Sequence, residues 1–142
     1  MQRETDCIFC KMVAGEVSCT KVLDDENALA FMDIAPLAEG HVLLIPKEHY
    51  VTMGELPSDL AGAVFRHIPS LVHAVQSATG CEGVNVLQNN GSIAGQLVPH
   101  VHVHIIPRNP GGKFKFNWPA GEYEAGRMDI LAEAICEHVP AL

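Results

Sequence analysis

Aromatic residues are scarce, at 6% of the chain, and Lys and Arg together number 9 against 17 Asp and Glu. With so few aromatic rings, a core must come from Val, Leu, Ile, Ala and Met. The 48% hydrophobic content supplies enough of them to do without disulfides. The shortage of cations, with a net charge of −8, excludes a broad nucleic-acid surface, which relies on clustered Lys and Arg. A small anionic ligand remains compatible with an acidic chain, given a local site of backbone N–H groups and histidines. No apolar run reaches the roughly 18 residues of a membrane span, so no membrane partner is expected. The opening Met1-Gln2-Arg3-Glu4-Thr5-Asp6 is polar and acidic, unlike a secretory leader, and a cytoplasmic protein is expected.

The cysteines number 5, which is odd, and nothing points to secretion, so a disulfide framework is a poor reading. Cys7 and Cys10 form a C-x-x-C pair, whereas Cys19, Cys81 and Cys136 read as isolated small hydrophobes. The chain of 142 residues has no internal repeat, low-complexity tract or linker, and one domain over 1–142 is expected.

Local patterns give a coarse order of elements. Cys7 to Gly15 reads as a short helical turn with a glycine stop. Lys21 to Asp24 and Ala28 to Asp33 read as strands around the turn Asp25-Glu26-Asn27. Ile34 to Gly40 is a loop, and His41 to Pro46 is an apolar strand stopped by proline. A helix is expected to start near Pro57 with Ser58 as its N-cap and to end at Gly80. Pro69 inside that helix predicts a kink or a late restart. Val84 to Gln88 is a strand, Asn89 to Gly95 a polar loop, and Val98 to Pro107 the last long strand. Asp129 to His138 is expected to be a terminal helix stopped by Pro140. The expected fold is α+β, a mainly antiparallel sheet of about five strands with one long helix and a C-terminal helix.

His100-Val101-His102-Val103-His104-Ile105 alternates polar and apolar residues without a break. At period 2 the three imidazoles share one face, and Val101, Val103 and Ile105 point into the core. A solvated strand face usually carries Thr, Lys, Glu or Ser instead. Binding of one metal by all three is strained, because the outer Cα atoms stand about 13 Å apart on an extended strand. Catalysis fits better: neutral imidazole is both a base and a nucleophile near pH 7. One histidine can attack phosphorus to form a labile phosphoramidate while a neighbour protonates the leaving group. The Gly- and Asn-bearing loop upstream offers N–H groups for phosphate oxygens.

These residues resemble the histidine triad (HIT) family. His100-Val101-His102-Val103-His104-Ile105-Ile106 matches the His-φ-His-φ-His-φ-φ signature, with Gly95-Gln96 at the family spacing. Gly40-His41-Val42-Leu43-Leu44-Ile45-Pro46-Lys47-Glu48-His49 is similar to the family's GHxLxIPKxH strand. Cys7-Ile8-Phe9-Cys10, Phe31-Met32-Asp33-Ile34 and Trp118-Pro119 resemble further family segments, so the likeness spans most of the chain. The branch resembled is the zinc-binding, Hint-like one. Its members are homodimers that cleave purine nucleoside phosphoramidates or related conjugates at the α-phosphate.

By motif, the resemblance makes His102 the nucleophile, with His104 on the α-phosphate and the leaving group. Asn89, Gly95 and Gln96 would hold the phosphate, Asp33 the ribose hydroxyls, and Ile34 the base of an AMP- or GMP-type nucleotide. In zinc-bearing members, the residues matching His49 and His100 complete a site with Cys7 and Cys10. A structural Zn2+ and no organic cofactor are therefore implied; unmetallated thiols are the alternative. One departure stands out: many members place Ser or Thr after Gln96, where this chain has Leu97. The lost hydroxyl predicts slower or shifted activity. A dinucleoside polyphosphate hydrolase and a non-catalytic nucleotide-binding module acting through a protein partner are the rival readings. His41, His67, His73 and His138 read as structural or solvated, and Trp118 as either a packing residue or one near a partner subunit's site.

Overall fold

The computed structural model describes residues 2–141, so positions 1 and 142 of the expected domain lie outside the described residues. The sheet consists of β1 (Lys21–Asp24), β2 (Ala28–Met32), β3 (Val42–Pro46), β4 (Gly83–Gln88) and β5 (Val103–Arg108). All neighbours pair antiparallel in the order β1-β2-β3-β5-β4. The fold is α+β, as the element order predicts.

Helix α1 (Ile8–Ala14) ends at Gly15, whose φ of 78° lets its N–H reach back to the last turn. The long helix expected to end at Gly80 restarts at Pro69, one of the two outcomes the proline predicts, and so forms two helices, α2 (Ser58–Phe65) and α3 (Ile68–Thr79). Pro69 falls in the first turn of α3, where its missing N–H has no intrahelical partner to lose. Ser58 is not the N-cap either: Pro57 holds that position, and no side chain caps α2. Helix α4 (Arg127–His138) buries none of its residues against the chain. No helix among the described residues is long and apolar enough to cross a membrane.

The sheet has two covered faces. Ala28, Ala30, Val42, Leu44, Val103 and Ile105 pack with Val64, Leu71 and Val75 of α2 and α3. Leu29, Phe31, Leu43 and Ile45 face the other way and pack with Cys7, Phe9 and Cys10 around α1. Because β3 is buried on both sides, its sequence is a continuous apolar run rather than an alternation.

The last strand is shorter than expected. It starts at Val103, not Val98: residues 98–100 bend, with the His100 N–H donating to Val98 O at 2.8 Å, and His100 and His102 lie ahead of the ladder. Pro46 explains the break. The β3–β5 ladder ends at Leu44↔Val103, and Pro46 has no N–H to carry it further. Its carbonyl accepts from the His100 imidazole instead, at 2.8 Å, while the Val101 N–H donates to Tyr50 O. Pro107 sits in β5 only where β3 has ended, so it removes no ladder bond on that side.

Gly40 closes the β2–β3 connection with φ 95°, and a Cβ there would lie 2.5 Å from Thr79 Cγ2 and 3.3 Å from Pro107 Cγ. Gly62 in α2 has open space around it. Gly40→Ala is expected to cost about 1–3 kcal/mol, combining left-handed strain with the clash. Gly62→Ala is expected to gain about 0.5–1 kcal/mol from helix propensity. Urea denaturation of the two variants checks the opposite signs.

Candidate active site

The chain brings two groups of ionisable side chains together along the α1 face of the sheet. Residues 100–104 link them, because the extended backbone turns every second side chain toward that face. Phe9 packs against His100 and His102, with ring centroids 5.7 and 5.3 Å away. His102 and His104 stand next to each other at 5.0 Å.

The first group is Cys7, Cys10, His49 and His100, all buried, with ligand atoms within 4.8 Å of one another. Cys7 Sγ lies 3.4 Å from His100 Nδ1, and Cys10 Sγ lies 3.4 Å from His49 Nδ1 and 3.7 Å from His100 Nδ1. The two Nδ1 atoms are 3.2 Å apart. Ligand bonds to a tetrahedral zinc require about 3.3 Å between two nitrogens and about 3.6 Å between nitrogen and sulfur. The observed spacings fit that shell. His100 Nε2–H donates to Pro46 O, so Nδ1 keeps its lone pair for a ligand. Burial also pushes His100 down to about 4, which keeps it neutral.

The second group is Asp33, His41 and His104. The β2–β3 hairpin sets the first two side by side, since the Asp33 N–H donates to His41 O at 3.0 Å. The Leu37 N–H donates to His41 Nδ1 at 3.1 Å, which leaves the proton on Nε2. That Nε2–H donates to His104 Nδ1 at 2.9 Å, shorter than two ligands of one metal. His104 therefore carries its proton on Nε2. His102 is the opposite tautomer: its Nδ1–H donates to His100 O at 2.6 Å, and Nε2 keeps a lone pair. Asp33 Oδ2 stands 3.7 Å from His41 Nε2, and Asp33 Oδ1 accepts the Ala35 N–H. Burial pushes His104 down to about 4, with His102 and His41 adding to the shift and Asp33 opposing it. Burial lowers His41 as well.

Above these rings is a cavity of about 390 Å³, bordered by Asp33, His41, His102, His104, Asn89 and Gly95. Phe9, Leu43, Leu87 and Phe114 supply its apolar wall. Register explains two of them, because His104 pairs with Leu43 on one side and Leu87 on the other. Gln96 and Ile34 are not in this wall. Gln96 is buried, accepting the Gly91 N–H and donating to Val51 O, so it ties the 89–96 loop to the segment after β3. Ile34 is 94% exposed beside the cavity. Leu97, 92% exposed, forms part of the rim. His41 is the residue the sequence pattern missed. It continues the line His41–Leu43–Ile45 that faces α1, which is the one signal that could have found it. His67 is structural, bonded to Asp25 Oδ2 at 2.7 Å.

Fold and site together define an α+β domain of the histidine triad class. The chain belongs to the HIT domain family, whose description matches residues 14–111, and it is an enzyme of the HIT type. Adenosine 5'-monophosphoramidase hnt1 of Schizosaccharomyces pombe is 42% identical over 134 residues, covering 94% of this chain and 98% of that one. Adenylylsulfatase HINT3 of Arabidopsis thaliana is 44% identical over 105 residues, 74% of this chain, which spans about half (53%) of that relative. A crystal structure of a HIT family member from Bacillus subtilis superposes with a TM-score of 0.91 at 36% identity, over 96% and 99% of the two chains. A Zn-bound histidine triad family protein from Mycobacterium smegmatis gives 0.73 at 32% identity, over 93% and 96%.

The depressed His104 has a measurable consequence. As pH falls below the ordinary value of 6.5, the unfolded chain takes up a proton that folded His104 refuses until about 4. Its contribution to stability is thus complete above 6.5 and is lost as pH falls toward 4. Thermal melts of the ligand-free protein across this window should show a steeper loss for wild type than for His104→Gln. Parallel curves would contradict the assignment.

Proposed function

We propose that this chain cleaves purine nucleoside 5'-phosphoramidates, or related mononucleotide conjugates, at the α-phosphate through a nucleotidyl-His102 intermediate. The observation that carries this reading is the opposite tautomers of the adjacent His102 and His104. The His102 Nε2 lone pair attacks phosphorus, forming a P–N bond to the ring as the bond to the leaving nitrogen breaks. The His104 Nε2–H faces the same reaction volume as a donor to phosphate oxygen and leaving nitrogen. A bound phosphate anion favours the protonated form of the His41–His104 pair, so the proton the departing amine needs enters with substrate. Water then hydrolyses the nucleotidyl-histidine and returns His102.

Asp33 accepts the ribose hydroxyls at one end of the cavity, while the Asn89 side chain and the Gly95 backbone border the phosphate. Gln96 contributes by holding that loop in place, and Ile34 lies where a base would cover it. Cys7, Cys10, His49 and His100 hold a structural zinc that fixes α1 against residues 100–104 and takes no part in the chemistry. The open edge of β4, with Val86 46% exposed, supports a homodimer joined there. Reduced thiols at Cys7 and Cys10 accord with a cytoplasmic setting.

Turnover of adenosine 5'-phosphoramidate should fall at least about a thousand-fold in His102→Ala, and equal rates would refute the nucleophile. Micromolar AMP binding by wild type with no hydrolysis in the same assay would refute the proposed reaction. Metal analysis should find about one zinc per chain, reduced in Cys7→Ser.

A further inference from the structure

Cys7, Cys10, His49 and His100 are all buried, and a cysteine that ligates a cation does so as a negatively charged sulfur. A charged sulfur shut away from water needs N–H donors. Cys10 has one from outside its own turn: the Glu4 N–H donates to Cys10 Sγ at 3.4 Å. Backbone bonds hold that donor in place from both sides. Upstream, Gln2 O accepts the His49 N–H at 2.8 Å, and the Gln2 N–H donates to Glu48 Oε1 at 3.3 Å. Downstream, Glu4 O accepts the Cys7 N–H at 3.2 Å. Residues 2–4 therefore bond to three of the four cluster residues, and do so through main-chain atoms that no side-chain motif reveals. Glu4 also walls two openings onto the cluster. A cavity of about 130 Å³ reaches Cys10 between Glu4 and Thr5 on one side and Lys11 and Ala14 on the other. A groove of about 410 Å³ that passes Leu97 reaches Cys7 and His49, again with Glu4 on its border.

We propose that residues 2–4 are a strap that completes the surroundings of the Cys/His site and sets how long it retains a divalent cation. This rests on the metal reading above. The Glu4 N–H stabilises the ligating sulfur of Cys10, while the bonds to His49 and Cys7 hold two further ligand residues in register with it. Displacing the strap removes all three bonds together. It also opens both cavities at Glu4, so water or a competing ligand reaches Cys10 and Cys7 first. His100 is 0% exposed and anchored at Pro46 O, so it is the last of the four to let go. The working group is the main-chain N–H at position 4, not the Glu4 carboxylate.

Transfer of zinc from the loaded protein to an excess of a chromophoric chelator measures retention. Glu4→Pro removes the N–H and keeps the carbonyl, whereas Glu4→Ala keeps both and removes only the carboxylate. Release should be at least about ten-fold faster in Glu4→Pro and within about two-fold of wild type in Glu4→Ala. Cobalt-loaded protein adds a readout that general loosening of the chain would not move. The thiolate-to-cobalt charge-transfer band should shift in Glu4→Pro and not in Glu4→Ala, because a hydrogen bond to sulfur alters its electron donation. Deletion of residues 2–4 repeats the release measurement without a proline, and here too release should be faster than in wild type. Wild-type release rates in Glu4→Pro or in the deletion would overturn the strap while leaving the metal site intact. Equally fast release from Glu4→Pro and Glu4→Ala would also overturn it, since the carboxylate would then be the working group. A wild type that takes up neither zinc nor cobalt would instead strike at the metal reading, and the strap would fall with it.

Discussion

An extended backbone must send successive side chains to opposite faces, and everything this molecule does at its site depends on that constraint between His100 and His104. The valines go inward: Val101 and Val103 are buried, the latter against the α2/α3 core. The histidines go the other way, toward α1, and reach different surroundings because they enter that face at different depths. His100 ends among the cysteines, His102 under Phe9, and His104 beside His41. One short stretch of chain therefore joins the Cys/His cluster to the reaction cavity.

What separates the three rings chemically is which nitrogen carries the proton. In each case a carbonyl or amide outside the pair decides it. Pro46 O takes the Nε2–H of His100, His100 O takes the Nδ1–H of His102, and the Leu37 amide, through His41, leaves the Nε2–H of His104 free. In chain order, the three rings thus leave free a lone pair among the cysteines, a lone pair at the cavity and an N–H at the cavity. Burial favours the neutral form of His100 and His104 in the ligand-free protein.

The patterns legible in the chain are those set by local periodicity. The strands β1, β2 and β4, the terminal helix, the glycine stop at Gly15 and the common orientation of the triad all come from spacing of two or of three to four residues. Expectation and structure part where the outcome depends on a distant partner. The strand pattern runs from Val98, but a ladder needs a donor on the neighbouring strand, and Pro46 cannot supply one. The helical pattern, by contrast, restarts at Pro69 as the proline itself predicts. The motif puts Gln96 on phosphate, and its amide is instead occupied by Gly91 and Val51.

The sequence by itself determined the residue types: imidazoles at period two, a C-x-x-C pair, a carboxylate after an apolar strand, and a leucine where a hydroxyl is usual. Alternation and residue chemistry are properties of a few neighbouring positions, so they can be read without a fold. Only the tertiary structure decided that His41 joins His104, that four ligand atoms converge, and that a groove continues past Leu97. Those relations join residues up to 93 positions apart, and register and packing, not local pattern, set which of them meet.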